Sequence, residues 1–170
     1  EKRKLLYVGR NTESEEISPY WYDLLESEAR LTSYVNTARG IVDIEHWQSL
    51  GRGITSKSGY VGLLSWTGTM FEYLMPELLL PLKKHSLLWE TARFCLSVQR
   101  RRTRGTGYPW GCSESGFRSL DPAMNYRYKA HGCPALALKR GQEADMVIAP
   151  YASFLALASD PRAAAANLQR

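Results

Sequence analysis

Cysteine is scarce in this chain, and the three that occur are far apart. Cys95, Cys112 and Cys133 show neither the close spacing of metal ligands nor the even number of a disulfide framework. The three histidines are scattered and form no H-E-x-x-H pattern. We therefore expect no metal site and no structural disulfide, and a reducing compartment is the simplest interpretation.

Long hydrophobic runs are also missing. No apolar stretch approaches the roughly 20 residues that a membrane span needs, and the charged start has too few apolar residues after it for a signal peptide. The glycine-rich stretches match neither the P-loop nor the dinucleotide fingerprint, so we expect no nucleotide and no cofactor. The 170 residues, 44% of them hydrophobic, suffice for one domain with a real core.

The net charge of +5 is concentrated in one run, Arg100–Arg104. This run lies where a helix is predicted to end, just before Gly105, and cations in a last helical turn complement the helix dipole. No RNA-binding or DNA-binding motif accompanies it. We interpret the run as a solvated helix end rather than a polyanion site, and expect no nucleic-acid partner.

Apolar periodicity predicts a mainly α protein. A helix is expected over residues 18–39, with Ser18 as N-cap, Pro19 at the first position and Gly40 as the stop. Its buried stripe would run from Trp21 to Val35. Strands are few, with a short one expected over residues 5–8, and loops dominate residues 51–62 and 105–141. Further helices are predicted over residues 45–50, 69–80 (kinked or ended early by Pro76), 86–102, 150–158 and from 160 onward.

Glu28 falls on the predicted apolar stripe. A carboxylate there must be paired, hydrogen-bonded or open to a cleft, because burying it bare is costly. Glu26 points elsewhere on the same helix and can pair with Arg30 four residues on. Glu28 is therefore either a member of a structural ion pair or a site acid.

Two other acids stand in unusual surroundings. Glu114 lies in a loop, Tyr108–Gly116, among small residues and just after Trp110, where it could meet a ligand. The loop is not a serine-hydrolase elbow, because that pattern needs Gly at position 115. Glu72 interrupts an almost wholly apolar helix, and is either a third site acid or the internal partner of an arginine.

A pair of carboxylates in an aromatic-rich cleft is typical of a glycoside hydrolase. One acid protonates the glycosidic oxygen, and the other attacks the anomeric carbon or activates a nucleophile. Aromatic side chains can stack on glucose rings and polar ones can bind hydroxyls, although such aromatics also build cores. The candidate stacking residues are Trp66, Trp110, Tyr126 and Tyr128, and the candidate hydrogen-bonding residues are Asn125 and Arg52.

A series of motifs resembles, in the same order, the cyclization (glucoamylase-like) region of cyclic β-1,2-glucan synthases. The resemblance covers nearly everything from residue 17 to the C-terminus. Cys112 departs from the family, which usually has an aliphatic residue there. The motifs lie at residues 22–34, 46–52, 64–76 (Leu64-Ser-Trp-Thr-Gly-Thr-Met-Phe-Glu-Tyr-Leu-Met-Pro76), 109–115 (Pro109-Trp-Gly-Cys-Ser-Glu-Ser115), 125–128, 138–141 and 148–152.

The resemblance implies part of an (α/α)6 barrel over residues 18–170, after a lead-in over residues 1–17. In the family this region closes a linear β-1,2-glucan by transglycosylation, inside a multi-pass synthase of the bacterial inner membrane with its catalytic regions on the cytoplasmic face. The expected partners are the β-1,2-glucan chain and the other domains of that parent.

Glu28 and Glu114 match the two family acids to which catalysis is assigned, with Glu114 as acid/base and Glu28 as nucleophile or its activator. The rival interpretations are a β-1,2-glucan hydrolase and a non-catalytic glucan-binding fragment. The expected substrate-binding residues are Arg52, Trp66, Glu72, Trp110, Asn125, Tyr126 and Tyr128.

Overall fold

The computed structural model describes residues 4–57, 59–117, 119–142 and 146–170, so the first three residues of the expected lead-in lie outside it. Helices are the larger class of regular structure, but strands also contribute. In the described part of the chain the α-helices are α1 Arg30–Ala38, α2 Ile44–Ser49, α3 Met70–Leu74, α4 Leu87–Arg102, α5 Pro150–Ala156 and α6 Pro161–Leu168.

Within the described ranges the strands form three separate antiparallel pairs, of which the sequence predicted only the strand over residues 5–8. The pairs are β1 Leu6–Tyr7 with β2 Trp21–Tyr22, β3 Ile54–Lys57 with β4 Tyr60–Leu63, and β5 Ser115–Gly116 with β6 Tyr128–Lys129. Within the described ranges the helices do not close into a ring or barrel.

Helix α4 is the centre of the core and follows its prediction closely. The Ser86 hydroxyl accepts a hydrogen bond from the Trp89 amide, which starts the helix at Leu87. Phe94 of α4 is fully buried and lies against Gly62 of β4, where an added Cβ would come within 2.8 Å of the Phe94 Cβ. The close approach of helix and hairpin therefore requires glycine at position 62.

The prediction of a long helix over residues 18–39 was wrong at its N-terminal half. Helix α1 begins only at Arg30, and Gly40, with φ of 66°, ends it as predicted. Before it, β2 pairs with β1, and the Leu25 amide donates to the Gly51 carbonyl at 3.0 Å. These long-range backbone hydrogen bonds replace the helical ones, because tertiary pairing overrides a local preference.

The other helices agree with their predictions to within a few residues. The segment predicted over residues 69–80 ends early at Pro76, since α3 gives way to a 3₁₀ turn over Met75–Leu78. Asp160 caps α6 by accepting a hydrogen bond from the Ala163 amide, and it also pairs with Arg100. The basic run at the end of α4 is therefore partly tied to α6 rather than wholly solvated.

A buried ion pair joins the start of α1 to the core. Arg30 donates from Nη1 to the Glu26 Oε2 at 2.8 Å and from Nη2 to the Tyr73 carbonyl at 3.4 Å. Both side chains of the pair are at most 3% exposed. Burial raises the pKa of Glu26 to about 8 against the opposing charge of Arg30. The predicted pairing is confirmed, but Glu26 is the fully buried acid of this segment rather than Glu28.

None of the described helices has the length and apolarity to cross a membrane. Over the same ranges, no group of three or more His, Cys, Asp or Glu side chains is placed to hold a metal ion. The three cysteines are buried free thiols.

Replacing Glu26 by Met should lower the free energy of unfolding by about 3–5 kcal/mol, because it leaves a buried guanidinium that cannot lose its charge. The matched control is Glu15→Met, which breaks an exposed pair with Arg10 at 3.2 Å and should cost about 1 kcal/mol or less. Urea unfolding followed by tryptophan fluorescence measures both. Equal losses in the two variants would contradict a structural role for the buried pair.

Candidate active site

A cavity of about 660 Å³ lies between the segment that precedes α1, the loop that precedes α3 and the loop that carries Glu114. All of its charged lining residues within the described ranges are acids: Asp23, Glu28, Glu72 and Glu114. The remaining lining residues are Val8, Tyr20, Trp21, Tyr22, Leu24, Ser27, Trp66, Thr67 and Ala130.

Glu28 lies on the turn just before α1 and not on a helical stripe. Its side chain is half-buried, and the Ser27 hydroxyl donates to its Oε2 at 3.1 Å. Burial raises the pKa of Glu28, its own backbone amide opposes that shift, and the charges of Glu72 and Glu114 raise it further. Glu28 therefore interacts electrostatically with two neighbouring carboxyls that line the same cavity.

Glu114 is held from two sides. The Tyr128 hydroxyl donates to its Oε2, and the Tyr151 hydroxyl donates to its carbonyl at 2.9 Å. Ser113, the preceding residue, bonds to the Tyr151 hydroxyl at 2.8 Å and accepts from the Phe71 amide at 3.1 Å. The loop is thus tied to α5 and α3, which fixes where the Glu114 carboxyl stands.

The pairing of β5 with β6 explains why Tyr128 reaches Glu114. Gly116 lies opposite Tyr128 in the register, two residues after Glu114 in the chain. Burial is the largest cause that raises the pKa of Tyr128, and the hydrogen bond to the Glu114 carboxylate adds to it. Tyr128 therefore stays a hydroxyl donor at neutral pH, and its own contact with the cavity is through Glu114.

Glu72 is surrounded by hydrogen-bond donors from the loop before α3. Its Oε2 accepts from Ser65 Oγ at 2.9 Å, Thr67 Oγ1 at 2.6 Å, and both the amide and the hydroxyl of Thr69 at 2.9 Å. Its Oε1 accepts from the Thr67 amide at 3.0 Å. The partners are hydroxyls and amides, and the arginine considered from the sequence is not among these contacts. Thr69 and Glu72 also form a capping box for α3.

The structure brings four of the predicted site residues together around one cavity: Glu28, Glu114, Glu72 and Trp66. Trp66 is 57% exposed, with its flanking residues buried, so that its ring is free to meet a ligand. The prediction that the loop over residues 110–128 shares a cleft with Glu28 holds for Glu114 and not for the whole loop.

Trp110 is one exception, because it is buried in the core. Its amide and carbonyl bond to the Asn167 side chain at 3.0 and 2.7 Å, and Arg100 lies over its ring. Arg52 is another, since its guanidinium donates to the carbonyls of Trp47, Gln48 and Leu50 at the end of α2. Neither side chain lines the cavity.

Asn125 and Tyr126 also lie outside the cavity lining. Asn125 belongs to an exposed turn. Its backbone amide and its side-chain amide both donate hydrogen bonds to the Asp121 carboxylate. Tyr126 is 68% exposed and stands against Gly116, where an added Cβ would fall 2.4 Å or less from its ring.

An aromatic wall made by Tyr20, Trp21 and Tyr22 also lines the cavity and was not among the residues predicted from the sequence. Assigning these residues to a helix spread them over different faces, whereas β2 presents them in an extended segment beside the cavity. The signal was available, since three consecutive aromatics follow Pro19 and such a run is typical of a strand. Tyr151 was missed as well, although its motif was noted.

Comparison with known proteins supports the resemblance. No protein-family model matches the chain. The chain is 44% identical over 169 residues, 99% of its length, to the cyclic β-(1,2)-glucan synthase NdvB of Rhizobium meliloti strain 1021. It spans only 6% of the length of that relative. The predicted resemblance to cyclic β-1,2-glucan synthases is confirmed, and the matching part is a small segment of a much larger enzyme.

The pKa of Glu28 should respond to its neighbours in a defined direction. Glu114→Gln removes a negative charge and should lower the pKa of Glu28, whereas Ser27→Ala removes a hydrogen bond and should raise it. Carboxyl ¹³C NMR titration measures both shifts, with the exposed Glu13→Gln as the control that changes nothing. A Glu28 carboxyl that titrates identically in all variants would show that the three acids do not share a site.

Proposed function

We propose that the chain belongs to the cyclization region of a cyclic β-1,2-glucan synthase, and that its cavity closes linear β-1,2-glucan into a ring by transglycosylation. The observation that carries this proposal is the meeting of Glu28 and Glu114 beside the exposed ring of Trp66. Two carboxyls and an aromatic face in one cavity are what a glycosyl-transferring site needs.

Ring closure constrains the stereochemistry. A β-1,2 linkage is broken and another β-1,2 linkage is made, so the configuration at the anomeric carbon is retained. Retention proceeds through two displacements, in which a glycosyl-enzyme forms and is then attacked by a sugar hydroxyl in place of water. The acceptor is the hydroxyl at the far end of the same glucan chain.

We assign Glu114 as the acid/base and Glu28 as the nucleophile or its activator. Glu114 stands on a loop held by Tyr128 and Tyr151, from which it can face the leaving oxygen. Glu28 stands at the start of α1, with Ser27 donating to it. In the first step the anomeric carbon bonds to the nucleophile while Glu114 gives its proton to the departing glycosidic oxygen. In the second step a sugar hydroxyl attacks the anomeric carbon, the bond to the nucleophile breaks, and Glu114 takes the proton of that hydroxyl.

The raised pKa of Glu28 has a consequence for this assignment. A carboxylate nucleophile must be ionised, so the rate of cyclization should fall as pH falls through the pKa of Glu28. Because this pKa is raised, the loss of activity should begin at a higher pH than for an ordinary glutamate. In the reverse assignment Glu28 would be the acid, and its raised pKa would set the alkaline limit instead.

The wider setting is part of the same proposal. The identity to NdvB supports placing the chain within a larger synthase, in which its helices would contribute to an (α/α)6 barrel on the cytoplasmic face of the inner membrane. Other domains of the parent would supply the linear glucan.

Two rival functions use the same cavity. A β-1,2-glucan hydrolase would pass the glycosyl group to water and release linear products, whereas a binding fragment would hold β-1,2-glucan without any product. Product analysis with linear β-1,2-glucan separates the three, because only intramolecular transfer gives rings.

In the full-length synthase, Glu28→Gln and Glu114→Gln should each reduce cyclization by about 10²- to 10⁴-fold or more while polymer elongation continues. Gln keeps the size of the side chain but can neither donate a proton nor attack as an anion. The matched control is Glu90→Gln, an exposed acid on α4, which should cyclize normally. Glucan rings formed at the normal rate by either site variant would remove that residue from the mechanism.

A further inference from the structure

Glu72 is the acid of the cavity whose carboxylate already accepts several hydrogen bonds from the protein. Five hydrogen bonds reach its carboxylate, four of them at Oε2, and all come from residues 65, 67 and 69. A carboxylate has lone pairs for about four acceptor positions. Oε2 is therefore fully occupied, Oε1 accepts from the Thr67 amide, and the residue is only 7% exposed, so little of the carboxylate is presented to a sugar hydroxyl.

The donors have one feature in common, which is that they flank Trp66. Ser65 and Thr67 are its immediate neighbours, and Thr69 is the N-cap of α3. Gly68, between them, has its amide bonded to Ser65 Oγ at 2.9 Å, so the turn is closed on itself as well. Glu72 thus holds the backbone on both sides of the tryptophan.

The opposite edge of the same loop is fixed by backbone hydrogen bonds to residues 132–139. The Lys139 amide donates to the Trp66 carbonyl at 2.9 Å, and the Leu138 amide donates to the Ser65 carbonyl at 2.9 Å. The loop is held between this segment and the Glu72 carboxylate. The Trp66 side chain is the part that remains free, and it is more than half exposed beside Glu28 and Glu114.

We propose that Glu72 is a positioning residue, which fixes Trp66 as the stacking platform for a glucose ring of the glucan and does not itself contact the sugar. This inference rests on the proposed function. A rigid aromatic face lowers the entropy cost of binding, because its orientation is set before the ligand arrives. It replaces the expectation that Glu72 is a substrate-binding residue.

A double-mutant cycle in the full-length synthase tests the inference through the KM and kcat of cyclization with linear β-1,2-glucan. Trp66→Ala should raise KM about tenfold, equivalent to about 1.4 kcal/mol, and Glu72→Gln should raise it by a similar factor with a smaller change in kcat. The double variant should be no worse than either single one, because both remove the same platform.

Two further variants distinguish the positioning of Trp66 from an effect of the Glu72 charge and from a general loss of stability. Ser65→Ala removes one donor to Glu72, keeps the Glu72 charge and lies outside the cavity lining, so it should raise KM several-fold without changing the pH dependence. Glu77→Gln alters another buried acid, whose oxygen accepts from Ser159 and which lies outside the cavity lining, and should leave KM unchanged. Ser65→Ala also keeps the test valid if Glu72→Gln does not fold.

The inference is wrong if the KM effects of Trp66→Ala and Glu72→Gln multiply, if Glu72→Gln lowers kcat alone, or if Trp66→Ala leaves KM unchanged. These outcomes leave the proposed function standing, provided that Glu28→Gln still abolishes cyclization. Normal cyclization by both Glu28→Gln and Glu114→Gln would instead remove this cavity from the reaction and overturn the proposed function, whatever the cycle shows.

Discussion

The carboxylate of Glu72, with five hydrogen bonds from the loop over residues 65–69, is the contact on which the geometry of the site depends. It caps α3, closes the loop and leaves Trp66 facing the cavity. A buried carboxylate is tolerated only when its lone pairs are satisfied. The hydroxyls of this loop meet that requirement, so a residue that would otherwise destabilise α3 organises one wall of the site instead.

The charge of the same carboxylate also acts on Glu28. Glu28, Glu72 and Glu114 surround a cavity whose charged lining residues, within the described ranges, are all acids. The repulsion adds to burial in raising the pKa of Glu28. Like charges gathered around one cavity disfavour the ionised form of Glu28, so the environment of this carboxyl depends on its two neighbours. The buried pair of Glu26 and Arg30 lies on either side of Glu28 in the chain and anchors the turn that carries Glu28.

Local signals in the sequence predicted the elements that depend on local interactions. Helix α4 has a serine cap and a sustained apolar period, and it forms where these predict. The segment over residues 18–29 has equally good helical signals, yet it pairs with residues 6–7 and 51, and no local pattern encodes those partners. The aromatic wall at residues 20–22 was missed for that reason.

The residues proposed for the site from the sequence also fall into two groups, those that line the cavity and those that have a structural role elsewhere. Glu28, Glu114 and Trp66 were found from unusual surroundings and from the resemblance, and they do share a cavity. Arg52 and Trp110 come from equally specific motifs, but one caps α2 and the other packs in the core. A motif marks a residue as constrained and does not state whether the constraint is structural or chemical. Only the fold distinguishes the two.

The central claim is that Glu28 attacks the anomeric carbon while Glu114, as the acid/base, donates a proton to the leaving oxygen. Its most direct test is to give the Glu114→Gln synthase a linear β-1,2-glucan with a nitrophenyl leaving group, which needs no protonation. Rapid acid quenching and peptide mass spectrometry then locate any covalent sugar. A glycan ester on Glu28 is the predicted result. An ester on any other residue, or release of nitrophenol without any covalent sugar, would contradict the account.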